Sequence, residues 1–276
     1  MNSEWYSYQS AGAGYLPTDK LISVLRNQIF SMLDSLRDPV RVLVAGRTDS
    51  GKTAFLNLLM IALHNLVTFP LPWATGVHGT VRIRRLGVHA FLQIIDVIGA
   101  DYETDAEREL LRKIAFGVSD CSRAPRTAYF ADEPSSEQLV RMVTDSLAVQ
   151  PDFAVDEIIW LVNPCGVEPE LGLPAKLLSR GPPRGEDLAT VRQSVVFTHG
   201  DDCGVPAHEL WAAGRVCWPC VGNRIYVASS YNQTAHDAPV PRSMERDLRA
   251  LEFLAALLVR AQPSLARFLR QKPADE

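Results

Sequence analysis

Gly46-Arg47-Thr48-Asp49-Ser50-Gly51-Lys52-Thr53 sets two glycines, a lysine and a hydroxyl at the spacing G-x-x-x-x-G-K-[ST]. Those residue types at that spacing suit a phosphate chain. Gly46 and Gly51 let the backbone curl until its N–H groups face one anion, a cradle that runs through Thr48, Asp49, Ser50 and Ala54. Lys52 places a point charge on the β- and γ-phosphates, and the Thr53 hydroxyl can ligate Mg²⁺. Three further groups fit the same chemistry. Asp96, at the end of an apolar run, can hold Mg²⁺ directly or through water, and Gly99 lets a backbone N–H approach a γ-phosphate. Asp201, in Thr198-His199-Gly200-Asp201, sets a carboxylate just past another apolar run. Ser229 and Ser230 close another apolar run.

The elements between these groups must bring them together. Residues 1–16 are rich in Ser, Tyr, Gly and Ala without period and are expected to be disordered. From residue 17 to 38 the apolar residues Leu21, Ile22, Leu25, Ile29, Met32, Leu33 and Leu36 share one helical face, and Asp38-Pro39 ends it. This helix reads as an addition to the domain that follows. Val40–Ala45 reads as a buried strand, and a helix runs from Lys52 toward Leu66 until the prolines at 70 and 72 break it. Two strands, Thr80–Arg85 and Val88–Asp96, are expected to join at Leu86-Gly87. Thr104-x-x-Glu107 is a capping box opening a helix. Strands at 158–162, 195–197 and 225–228 alternate with helices near His208–Ala213 and Arg242–Val259.

This alternation predicts an α/β fold: three layers around a mostly parallel sheet, with one antiparallel edge strand. In such sheets ligand groups come from loops at the carboxyl ends of strands, where all the groups named above fall. The domain is expected over 39–262, with insertions around 117–150 and 163–190 and a tail at 263–276.

The chain has 276 residues, is 47% apolar and carries a net charge of −4. That charge argues against general nucleic-acid binding. There is no basic block for anionic lipid and no apolar signal core in Met1–Tyr6. The apolar stretches Phe55–Leu63 and Phe253–Val259 are too short to span a bilayer, so a cytoplasmic location is expected. Five cysteines make no disulfide framework. Cys217-Trp218-Pro219-Cys220 reads as a redox pair, as part of a zinc site with Cys203 and His199, or as ordinary reduced thiols.

In motif order and spacing the chain resembles the small-GTPase-like G domains. Gly46 to Thr53 matches their first motif, Thr80 or Thr75 the switch threonine that ligates Mg²⁺ and serves hydrolysis, and Asp96-x-x-Gly99 the third. Thr198-His199-Gly200-Asp201 is similar to the base motif [NT]-K-x-D, with His199 in place of lysine, and Ala228-Ser229-Ser230 is similar to S-A-K. That likeness implies that the Asp201 carboxylate accepts from N1–H and the exocyclic amine of guanine, a donor pair that adenine lacks, so that a site built on this acceptor rejects adenine. Gly51 to Asn57 with the long following helix looks like the interferon-induced protein 44 group. Asp96-x-x-Gly99 with Phe197-Thr198-His199-Gly200-Asp201-Asp202 looks like the septin-related immunity-associated nucleotide-binding group. Both resemblances imply an intracellular protein that binds GTP and GDP with Mg²⁺ and serves as a switch or in assembly, sometimes at membranes, as a homodimer or with an effector protein. Hydrolysis is expected to be slow: Ala100 follows Gly99, where many such domains carry a water-orienting glutamine. His78 in the 73–79 loop could position water or stand exposed. A P-loop kinase for a small molecule is the alternative, with Arg180 to Arg184 as its lid, but it leaves Asp201 without a role. A nucleotide-poor scaffold is the other, and the intact Lys52, Thr53 and Asp96 argue against it.

Overall fold

The computed structural model describes residues 18–47, 50–71, 84–97, 104–118, 141, 144–145, 147–165, 188, 190–199, 203–229, 240 and 242–269. Six strands form one sheet: β1 (Val40–Gly46), β2 (Arg84–His89), β3 (Leu92–Asp96), β4 (Glu157–Val162), β5 (Arg192–Phe197) and β6 (Ile225–Val227). Their order is β2-β3-β1-β4-β5-β6. β1 runs parallel to β3 and β4, β4 to β5, and β5 to β6, while β2 pairs antiparallel with β3 at the edge.

Side chains alternate across the sheet and so divide the core in two. Val42 and Val44 of β1, Ile159 and Leu161 of β4 and Val196 of β5 face one apolar layer. That layer is built by α1 (Thr18–Asp34), α2 (Lys52–His64) and α5 (Met244–Ala261). Leu43 and Ala45, then Ile158, Trp160 and Val162, then Val195 and Phe197 face the other. There they meet α3 (Asp105–Ala115) and α4 (Ala207–Cys217). The architecture is three-layer α/β, as the alternation predicts.

Several boundaries differ from expectation. The β2–β3 turn falls at Ala90-Phe91, not at Leu86-Gly87, which lie within β2 opposite Ile94 and Gln93. A side chain on residue 87 would meet open space, so this glycine is not a turn requirement. Phe91 instead anchors the turn: its carbonyl accepts from Val40 N–H at 2.9 Å. α2 ends at His64 rather than at Leu66, because Asn65 takes the left-handed conformation (φ 55°) and Leu66 N–H closes onto Ile61 O. α1 is a full member of its layer, with Ile22, Leu25, Ile29, Met32 and Leu33 buried. Past Pro263 the chain still packs: Leu265 is buried in the same layer. The capping box stands as read, with Thr104 Oγ1 accepting from Glu107 N–H and Glu107 Oε2 from Thr104 N–H.

Val118 bridges Val149, and Gln150 N–H donates to Gly117 O at 2.8 Å. Gly117 (φ 109°) is required there, since a Cβ would lie 2.2 Å from Gln150 O. No helix among the described residues is long and apolar enough to cross a membrane.

Candidate functional site

The carboxyl ends of β1, β3, β4, β5 and β6 share one edge of the sheet because these strands are parallel. β1 delivers Gly46 to that edge, opposite Leu161 of β4. A Cβ on Gly46 would stand 2.5 Å from Leu161 O and 2.6 Å from Ser50 Oγ, so the loop folds back over its own strand through a space only glycine leaves. Gly51 (φ 80°) then turns the chain into α2, whose N-terminus receives no side-chain cap. Its leading N–H groups thus face the loop.

Lys52 is buried, and its Nζ donates to Gly46 O at 2.9 Å and Arg47 O at 2.7 Å. The ammonium is held inside the loop that its own chain makes. Ser50 is also buried, and its Oγ meets no hydrogen-bond partner among the described residues. Thr53 and Ala54 follow in the first turn of α2, half-buried.

Thr198, one residue past β5, reaches the same loop. Its Oγ1 donates to Ser50 O at 2.8 Å, and its N–H donates to Val162 O at 3.0 Å. His199 takes φ 55° and sets its ring against the loop's second glycine: a Cβ on Gly51 would lie 3.5 Å from His199 Nε2. Gly46, Ser50, Gly51, Lys52, Thr198 and His199, from segments far apart in sequence, therefore form one cluster. Asp96 closes β3, opposite Val44 of β1, and is buried. Ser229 lies just past β6, where Ala228 N–H donates to Phe197 O at 2.7 Å.

Thr48, Asp49, Thr75, Thr80, His78, Gly99, Ala100, Asp201, Ser230 and the segment from Arg180 to Arg184 lie outside the described residues. Two cysteines also adjoin the cluster: Cys165, which the sequence reading did not place here, and Cys203, which the zinc-site reading set with His199. Cys165 Sγ donates to His199 O at 3.7 Å, and Cys203 N–H donates to the same oxygen at 3.1 Å. No spacing motif marks Cys165, so only the fold reveals it. The C-x-x-C pair separates: Cys217 is buried at the end of α4, while Cys220 is exposed. No group of three metal-ligating side chains occurs among the described residues.

No protein-family model matches the chain, and no curated protein matches it. One similar solved structure is described as a mutation variant of SsGBP. The alignment covers 79% of this chain and 58% of that one, with 13% identity and a TM-score of 0.36. This chain thus spans less than two thirds of that structure's length, and at that score the likeness defines no relationship.

Proposed function

We propose that this edge of the sheet binds a guanine nucleotide with Mg²⁺ and that the protein is a slow GTPase acting as a switch or assembly protein in the cytoplasm. The observation that carries the reading is the hydrogen bond from Thr198 Oγ1 to Ser50 O, which ties the base-motif strand end to the glycine–lysine loop 148 positions away. Two sequence motifs that would serve opposite ends of one nucleotide thereby meet in space. The uncapped start of α2 and the loop curled at Gly46 support the phosphate end. Lys52 supports it too: a phosphate oxygen there would meet a buried cation, where Coulomb attraction exceeds its value in water.

The donors fit Mg²⁺, which takes hard oxygen ligands and keeps several waters. It would be held by the Thr53 hydroxyl and the Asp96 carboxylate and would neutralise charge on the phosphates. Within the chain itself, Lys52 orients the phosphates and Thr198 fixes the loop against β5. His199 presents an imidazole beside Gly51, where a base or ribose would pass. Selection of guanine rests on Asp201 in the sequence.

Equilibrium binding of fluorescent GTP, GDP and ATP in the presence of Mg²⁺ tests this. GTP and GDP are expected to bind more tightly than ATP, and Lys52→Ala to abolish tight binding while leaving the circular dichroism melt in place. Equal affinity for GTP and ATP would sink the guanine assignment, and an unchanged affinity in Lys52→Ala would sink the phosphate site.

A further inference from the structure

Asn57, in the second turn of α2, is 1% exposed, and its carboxamide meets both backbone groups of a single residue. Leu71 N–H donates to Asn57 Oδ1 at 2.9 Å, and Asn57 Nδ2 donates to Leu71 O at 3.2 Å. Leu71 stands between Pro70 and Pro72, which have no N–H, so the one donor of this stretch is spent on Asn57. The chain makes the contact by doubling back. α2 ends at His64 and Asn65 turns the chain, yet Leu71 is bonded seven residues earlier in the helix, about 10 Å back toward its start. The return is held along its length. Arg242 donates to Leu66 O at 2.8 Å, Val240 N–H donates to Val67 O at 3.0 Å, and Phe69 is buried in the layer that α2 helps to build. Asn57 follows Thr53 by four residues, so the two share one side of α2 about 6 Å apart along its axis. An apolar side chain of the same size would fill the space, but only a group with a donor and an acceptor fixes the register of Leu71 against the helix.

We propose that Asn57 is a positioning residue of the nucleotide site: its carboxamide clips Leu71 to α2 one turn beyond Thr53, and so fixes beside that Mg²⁺ ligand the point from which the chain sets out toward β2. The role rests on the nucleotide reading. In sequence, the stretch between Leu71 and β2 carries Thr75 and Thr80, the two threonines offered as a further Mg²⁺ ligand. Thr75 is four residues from Leu71, a span of at most about 14 Å. Without the clip the nearest fixed point of this chain is Val67, further back along the sequence. A hydroxyl that starts from a fixed origin loses less freedom when it takes the metal, so the clip contributes to Mg²⁺ coupling and not to the grip of Lys52 on the phosphates.

The test is the factor by which Mg²⁺ tightens GTP binding, measured by titrating the full chain with fluorescent GTP in Mg²⁺ and in chelator. That factor is the coupling between the two ligands, and Asn57→Leu should shrink it about tenfold while leaving the affinity in chelator unchanged. Leu71→Pro, which removes the donor and keeps Asn57, should act alike and serves if Asn57→Leu does not fold. Leu71→Ala is the control: it loses apolar packing but keeps both bonds, so it should melt earlier with the parent's Mg²⁺ factor. A full Mg²⁺ factor in Asn57→Leu or Leu71→Pro, an equal loss of affinity with and without Mg²⁺, or a Leu71→Ala that behaves as they do would each overturn the positioning role. Amide hydrogen exchange reads the clip without nucleotide: the Leu71 amide should exchange about tenfold or more faster in Asn57→Leu than in the parent chain. Equal exchange would overturn the clip itself. A parent chain that binds no GTP overturns the nucleotide reading and this role with it. A parent that binds GTP with Mg²⁺ beside a variant that keeps the coupling overturns the role alone.

Discussion

Thr198 shows how one hydroxyl can join two motifs. Its backbone N–H pairs with Val162 O just past β5 and its methyl lies beside Gly51, while its Oγ1 satisfies a carbonyl of the glycine–lysine loop. Replacing it with valine keeps shape and branching but leaves the Ser50 carbonyl without that donor in a buried place. A lost bond of this kind costs about 1–3 kcal/mol. Thr198→Val is therefore expected to lower the melting temperature and, on the nucleotide reading, to weaken GTP binding roughly tenfold by loosening the loop. Calorimetric titration beside a thermal melt measures both, and a variant matching the parent in each would show that the bond positions nothing. The sequence displayed Thr198 as a polar strand end, in a stretch that resembles a base motif. Its partner was not legible, because a contact between residues 50 and 198 depends on strand order, which no local pattern encodes. Cys165 was illegible for the same reason, whereas Gly46 and Gly51 were readable because steric need acts within the loop itself.

Elements were legible where their signals are local. The Thr104–Glu107 box capped α3 as its four residues dictate, and the apolar runs of β1, β4 and β5 became buried strands. The hairpin turn was misplaced because Leu86-Gly87 carries a turn residue that pairing with β3 overrides. The polar group that docks α5 on the sheet gave no sequence signal. Arg260, in the last turn of α5, donates to both carboxylate oxygens of the buried Glu157 at the start of β4 and to Tyr226 Oη of β6 at 2.6 Å. Ser194 of β5 also donates to Glu157. Removing the carboxylate leaves the partly buried Arg260 guanidinium without its ion-pair partner, so Glu157→Ala is expected to cost about 3 kcal/mol. Burial pushes the Tyr226 phenol up to about 12; Arg260 opposes the shift and the Glu157 carboxylate adds to it. The folded chain thus holds this proton to higher pH than the unfolded chain, whose phenol titrates near 10. The contribution is complete below about pH 10 and is lost as pH rises toward 12, by on the order of 2 kcal/mol. Denaturant unfolding across that range should show a steeper alkaline loss for the parent chain than for Tyr226→Phe. Parallel curves would place the phenol in solvent.

At the scale of the whole molecule, the sheet's two faces divide the work. One face carries α3 and α4, and the other carries α1, α2 and α5, so the helix that precedes β1 fills a place in a layer. The sequence marked α1 as amphipathic but could not say what its apolar stripe would cover, since a stripe shows that a face is buried and not against which partner. In the structure Ile22, Leu25, Ile29, Met32, Leu33 and Leu36 pack with Leu251, Leu254 and Leu258 of α5 and with α2 in one continuous cluster. α5 in turn covers the face of the sheet on which Val42, Val44 and Leu161 lie. Removing α1 would expose its own former seat as well as lose its burial. At about 1.5–3 kcal/mol for each large apolar side chain, six such residues amount to on the order of 10 kcal/mol before ordering entropy is set against them. That is comparable with the whole net stability of a domain, about 5–15 kcal/mol. A chain beginning at Asp38 is therefore expected to lose cooperative unfolding and to expose apolar surface, although every residue of the glycine–lysine loop is still present. Ile29→Ala, which opens one cavity at the centre of the α1 seat, should cost about 2–5 kcal/mol and leave the transition cooperative. Denaturant titration followed by tryptophan fluorescence reads both variants. A truncated chain with the parent's midpoint and slope would mean that α1 only rests on a domain complete without it.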